Sequence, residues 1–194
     1  MKVAVGCSYT SGTGIAKEET YPCLLGATNL GKPGTDIEYA IWCAHRAVDN
    51  NATKIFFQIT SWDRITLSTS DTSNWLNNRP WTGEPTYEHF TVADYAASKL
   101  QHVNWLYENH VMSNWRTENL AQRLIEFKAW AGRKNCEIVF FDWLPRNGIA
   151  VHPTLEPFLP EQSVLDWLGN GYFVDDYYHV NAQGHKIIAE SYFG

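Results

Sequence analysis

Four apolar runs punctuate the chain, "KVAVGC" (2–7), "ATNLG" (27–31), "KIFFQIT" (54–60) and "EIVFFDWL" (137–144). The last two are nearly continuous rather than alternating, the pattern of central parallel strands covered by helices on both faces. Between the runs, apolar residues recur at helical spacing, which predicts helices over about 18–26, 35–49, 92–110, 113–134 and 181–192. In "SNWRTENLAQRLIEFKAWAGRK" (113–134), Trp115, Leu120, Leu124, Phe127 and Trp130 share one side, and the stretch ends on basic residues that suit the negative end of a helix dipole. This aromatic stripe reads as core. Strand and helix signals alternate as βαβα, so the chain reads as an α/β fold with a doubly wound sheet.

Two further segments have loop composition: 65–91, which carries Trp75, Trp81 and Tyr87, and 145–160, which carries four prolines. Each follows a predicted strand and so leaves the carboxyl edge of the sheet, where open α/β folds hold their ligands. The first strand reaches the same edge and turns at once into "GCSYTSGTG" (6–14), with Ser8 on its lip.

Composition narrows the function. The 194 residues contain no linker and no repeat, which predicts one domain over 1–194 with a loop-rich insertion at about 65–91. A net charge of -6 without a basic stripe excludes nucleic acid as an expected partner. Nine Trp and ten Tyr exceed what a core of this size needs, so some aromatics should line a surface. Cys7, Cys23, Cys43 and Cys136 have neither zinc spacing nor disulfide density and read as free thiols. "AVGC" has the look of a lipoprotein cleavage site, but only six residues precede Cys7, so it is read as strand. With no signal peptide or membrane span in view, the expected location is cytoplasmic or otherwise soluble.

The other half of a site stands near the end of the chain. In "YFVDDYYHVNAQGHKIIAESYF" (172–193), Asp176 and His179 are three residues apart, just before a predicted helix. On one tight loop, the carboxylate can fix the imidazole tautomer and leave Nε2 free to take a hydroxyl proton, which Ser8 would supply. The D-x-x-H spacing is common by chance; its place after the Ser8 strand and before the last helix is what makes it informative. Cys7 is the rival nucleophile, but neighbouring strand residues face opposite ways, and only one can face the rim. Asp175 is the weaker acid, His185 reads as a polar surface residue, and His152 as a loop residue open to a substrate contact. Asp175, Asp176, His179 and His185 have no coherent ligand spacing, so no metal site is expected. Arg64 is either a solvated charge or an anion-binding group.

Taken together, "GCSYTSGTG", "TYPCLLG" with "NLGKPGTD", and "DYYHVNAQGH" resemble the first, second and last blocks of the SGNH, or GDSL-like, hydrolase family. The likeness covers about 3–64 and 170–193. It implies a three-layer α/β/α domain with a flavodoxin-like, mostly parallel sheet, and a triad of Ser8, His179 and Asp176. It also implies an oxyanion hole built on the amides of Ser8 and Gly34, with Gly31 the weaker choice. The third block departs: "QITSWDR" puts Trp62 where the family has an oxyanion-binding Asn. Ser61 is the first candidate to replace it, ahead of Thr60 and the Trp62 indole. The expected function is a serine esterase acting without a cofactor on a small-molecule or saccharide ester, of short-chain or O-acetyl type. Trp62, Arg64, Trp75 and Trp81 are the candidate substrate contacts. The alternatives are a lipid ester or thioester hydrolase and a non-catalytic binding module on the same fold.

Overall fold

The computed structural model describes residues 1–60, 65–68, 87–90, 114–144, 152–169, 171–174 and 179–194, with 65–68, 87–90 and 114 described by their backbone alone. In chain order the described strands are β1 (Lys2–Val5), β2 (Ala27–Asn29), β3 (Lys54–Ile59), β4 (Ile65–Ser68), β5 (Tyr87–Phe90) and β6 (Glu137–Asp142). The helices are α1 (Ser8–Ser11), α2 (Tyr21–Leu24), α3 (Ile37–Asp49), α4 (Asn114–Arg133), α5 (Val164–Leu168) and α6 (Ala182–Ile187), the last running into a π-helical turn over Ile188–Tyr192.

Successive side chains of a strand point to opposite faces, and here that alternation builds two cores. β1, β2, β3 and β6 form one sheet in the order β2-β1-β3-β6, every pair parallel, with Val5 opposite Phe57 and Ile59 opposite Asp142. Val3, Val5, Ile55, Phe57, Ile59, Ile138 and Phe140 face α3 and α4. Ala4, Phe56 and Phe141 face Tyr21 of α2, Val164 of α5 and Ile188 beyond α6. Helices on both faces make the three-layer α/β/α arrangement expected of near-continuous apolar strands.

Asp36 caps α3 by accepting the Tyr39 amide at 2.9 Å, which fixes where the helix begins after the β2 loop. In α4 the buried stripe is Arg116, Leu120, Leu124, Phe127 and Ala131, and Trp115 is 63% exposed, contrary to the stripe expected from the sequence. The reason is the helical period: Arg116 stands four residues before Leu120 and so shares its face, whereas Trp115 lies about 140° round the helix from Leu120. Inward in the first turn, the Arg116 guanidinium lies 3.9 Å from both Asp36 and Glu38.

The helix expected over 18–26 is broken into a 3-10 turn, Lys17–Glu19, and α2, with extended Thr20 between them. Pro22 sets the division: it lacks an N–H and is tolerated only in a first turn, so a new helix starts at Tyr21. Part of the segment read as loop is strand, since β4 and β5 pair antiparallel with Ile65 opposite Phe90. Four-residue runs are too short for periodicity to separate from loop. The helix expected over 92–110 lies outside the described residues. All four cysteines are free, and no helix among the described residues is long and apolar enough to cross a membrane.

Candidate active site

β1 ends at Val5, earlier than the sequence suggested, and Ser8 opens α1 instead of closing the strand. The turn between them needs Gly6, whose φ is 156°; a Cβ there would stand 2.5 Å from Thr10 Oγ1 and 2.6 Å from Gln58 Cβ. Gln58 shapes the turn from the neighbouring strand. Its Oε1 accepts from the Cys7 amide at 3.1 Å and from Thr10 Oγ1 at 2.6 Å, while its Nε2 donates to Cys7 Sγ at 3.1 Å. Cys7 is therefore held inward in the core, and the half-buried Ser8 follows it at the edge.

The loop after β2 is tied to the same turn. Lys32 N–H and Thr35 Oγ1 both donate to the Gly6 carbonyl, at 3.0 and 3.1 Å, which holds Gly34 close to the start of α1. Gly34 has a φ of 78°, in the left-handed region where a glycine is needed. Among the described residues neither the Ser8 nor the Gly34 amide has an acceptor. Gly31, the weaker oxyanion candidate, spends its N–H on Asn29 Oδ1 at 2.9 Å and packs against the backbone of Ser11. Its amide is engaged, which removes it from that role.

The third part of the rim is a short return of the chain before α6. Val174 N–H donates to the His179 carbonyl at 2.8 Å, Phe173 and Val180 form an antiparallel bridge, and Asn181 caps α6 by accepting the Gly184 amide at 3.0 Å. The His179 ring lies 5.2 Å from that of Tyr9, which follows Ser8 in the chain, and Tyr9 in turn stacks on Trp143 at 5.1 Å. Gly14 meets Val174, since a Cβ there would touch its Cγ2 at 3.4 Å. Ser8, Gly34 and His179 are thus drawn to one edge. Ser8 Oγ has no hydrogen-bond partner among the described residues, an open arrangement found in many substrate-free catalytic sites.

Asp175, Asp176, Ser61, Trp62, Arg64, Trp75 and Trp81 lie outside the described residues. Thr60 is described, and its Oγ1 is buried without a hydrogen-bond partner, as is Trp143 Nε1. They are the first residues beyond β3 and β6, so both unpartnered groups stand at the carboxyl edge. Sequence reasoning passed over Tyr9, Trp143 and Gln58. Only Gln58 carried a signal, as the one polar side chain inside "IFFQI".

His185 is a correction. It reads from the sequence as a surface residue, yet it is 1% exposed, because α6 turns that side toward the sheet. Its Nδ1 accepts the Tyr21 amide at 3.1 Å, its ring is parallel to the Tyr21 ring at 5.9 Å, and Trp143 lies 5.9 Å away. Burial pushes its pKa down to about 4. Burial likewise raises the Tyr21 phenol far above its ordinary value, although its hydroxyl shares a 3.0 Å hydrogen bond with Thr10. Of the remaining histidines named from the sequence, His152 stays local, with Nδ1 2.5 Å from Thr154 Oγ1.

No family model and no curated protein matches the sequence. Solved structures do match the fold. The crystal structure of TesA aligns with a TM-score of 0.56 at 12% identity, over 99% of this chain and 95% of that one. A protein of the lipolytic G-D-S-L family from Desulfitobacterium hafniense DCB-2 gives 0.55 at 12% identity, over 97% and 95% of the two chains. The psychrotrophic esterase EstA from a Pseudoalteromonas species, in a structure inhibited by monoethylphosphonate, gives 0.55 at 12% identity over 99% and 94%. The fold is that of the SGNH, or GDSL-like, hydrolases.

Proposed function

We propose that this protein is a serine ester hydrolase in which Ser8 is the nucleophile, His179 the general base and Asp176 the carboxylate that orients it. One observation supports the reading: the His179 ring lies 5.2 Å from that of Tyr9, the residue after the half-buried Ser8, whose turn is tied through the Gly6 carbonyl to the loop that carries Gly34. In the first step the Ser8 Oγ–acyl bond forms as the proton passes to His179, and the two amides meet the charge gained by the carbonyl oxygen. The imidazolium then gives its proton to the leaving alcohol as the old ester bond breaks. Water repeats the sequence on the acyl-enzyme, releasing the acid and restoring Ser8. These steps balance without a cofactor.

A third oxyanion donor would come from the stretch after β3. Ser61 is our assignment, and Thr60 is its rival because its buried hydroxyl has no other partner. The substrate class we assign is a short-chain or O-acetyl ester, with a saccharide as the alcohol part. The abundance of Trp and Tyr supports it, since their flat faces stack on sugar rings. The lipolytic description of the Desulfitobacterium protein favours a second reading, hydrolysis of a lipid ester or thioester.

The test is labelling with a fluorophosphonate, mapped by mass spectrometry, beside hydrolysis of p-nitrophenyl acetate and octanoate. Modification at Ser8, with loss of both labelling and turnover in Ser8→Ala, is the expected result. A chain that folds but neither labels nor hydrolyses is a binding module, and the enzymatic reading is then wrong.

A further inference from the structure

We infer that Gln58 is a positioning residue for the nucleophile, an inference that rests on the assignment of Ser8 above. Gln58 is 1% exposed in β3, a strand whose other buried side chains are Ile55, Phe56, Phe57 and Ile59. An amide in such a place loses its water and must recover every hydrogen bond inside the protein. A leucine would fill similar volume without that cost, so packing alone does not account for the amide. All of its hydrogen bonds from the described residues end on one short turn, at the Cys7 amide, Cys7 Sγ and Thr10 Oγ1. Ser8 and Tyr9 are the two residues between these anchors, so the clamp grips the chain on either side of the nucleophile.

The surroundings tighten it. Gly6 leaves room for the Gln58 side chain, where any Cβ would overlap the amide oxygen. Thr10 passes the restraint on to Tyr21 through the hydroxyl pair at 3.0 Å, and Asn29 Nδ2 holds the Thr10 carbonyl at 2.9 Å. β3 lies between β1 and β6, so Gln58 refers the position of Ser8 to the middle of the sheet. A nucleophile misplaced by about 1 Å loses on the order of a hundredfold in rate, which is the scale of effect such a clamp controls.

The experiment compares wild type, Gln58→Leu, Gln58→Glu and Thr10→Val, with Phe127→Leu as a destabilised control from the opposite face. Gln58→Leu should lower kcat and the rate of fluorophosphonate labelling about tenfold to a hundredfold while leaving KM nearly unchanged, because the substrate still binds. Gln58→Glu, whose protonated carboxyl offers the same acceptor and a donor, should retain more of the rate. Should Gln58→Leu fail to fold, Thr10→Val removes one arm of the clamp alone and should show the same kcat-only loss. Hydrogen exchange at the Cys7 amide supplies a readout independent of catalysis: protected in wild type, faster in Gln58→Leu. Wild-type rates in Gln58→Leu, or a loss no larger than that of Phe127→Leu at equal melting temperature, overturn the inference. A wild-type chain that fails to label at Ser8 sinks the esterase reading, and the exchange measurement then still decides whether the clamp exists.

Discussion

The two faces of the sheet are built from different materials. Toward α3 and α4 the core runs apolar from Val3 and Phe57 to Leu124 and Phe140, and its buried charges, Arg116 and Asp36, stand together where the two helices begin. Toward α2, α5 and α6 the aromatic packing is threaded with polar groups: Gln58, Thr10, the Tyr21 hydroxyl and His185, joined by hydrogen bonds. The unpartnered Thr60 hydroxyl and Trp143 indole stand at its edge. Hydrophobic burial is non-directional, so the first face can supply stability without aiming anything. A hydrogen bond fixes distance and angle, so the second face can hold a backbone turn in one place. Ser8 and His179 belong to the face that can aim.

Breaking each face should therefore break a different property. The largest effect is expected for Ser8→Ala, a loss of roughly 10³-fold or more in ester turnover with a melting temperature close to wild type, read by a p-nitrophenyl acetate assay beside calorimetry. On the apolar face Phe127→Ala should do the reverse. It removes a fully buried ring and should cost about 3–5 kcal/mol in urea unfolding, while the folded fraction keeps its turnover.

His185 sharpens the contrast through pH. Its folded pKa, about 4, lies below the 6.5 of an unperturbed histidine, so the unfolded chain takes up the proton first as pH falls. Its contribution to stability is complete above pH 6.5 and is lost down to about pH 4, a total of about 3 kcal/mol. Urea unfolding across that window should show the slope in wild type and a flatter one in His185→Gln. A slope unchanged by the substitution would place the titrating group elsewhere.

A smaller effect should separate the candidate third donors. Ser61→Ala should lower kcat about tenfold with little change in KM, since the bond strengthens only as charge develops on the substrate oxygen. Thr60→Val and Trp62→Phe complete the set, and the one variant that lowers kcat alone identifies the donor. If all three keep wild-type turnover, the hole consists of the Ser8 and Gly34 amides only. The smallest effect is expected at the surface: Trp115→Ala, despite losing the largest side chain, should change stability by no more than about 0.5 kcal/mol because the residue is 63% exposed.

What the sequence determined by itself follows from periodicity and from local chemistry. Nearly continuous apolar runs named β3 and β6, because a strand buried on both faces leaves few polar positions to confuse the pattern, and shorter runs marked β1 and β2. The helix expected from about 181 begins there, with Asn181 as its cap, since a cap acts within three residues of itself. The likeness of three short blocks to one family anticipated the fold.

Tertiary structure decided the rest, in each case through partners remote in sequence. Arg116 is buried with its charge met by Asp36 and Glu38, and no window on α4 alone contains those carboxylates. His185, buried by the packing of α6 on the sheet, finds its hydrogen-bond partner in the Tyr21 amide, 164 residues earlier. Gly31 packs on the Ser11 backbone, a contact that exists only once the loop has folded back on α1. Gln58 could be read as polar but not as a clamp, because the turn it holds lies 51 residues away. Pattern records which side of an element meets the core; which polar group waits there is settled only when the elements are assembled.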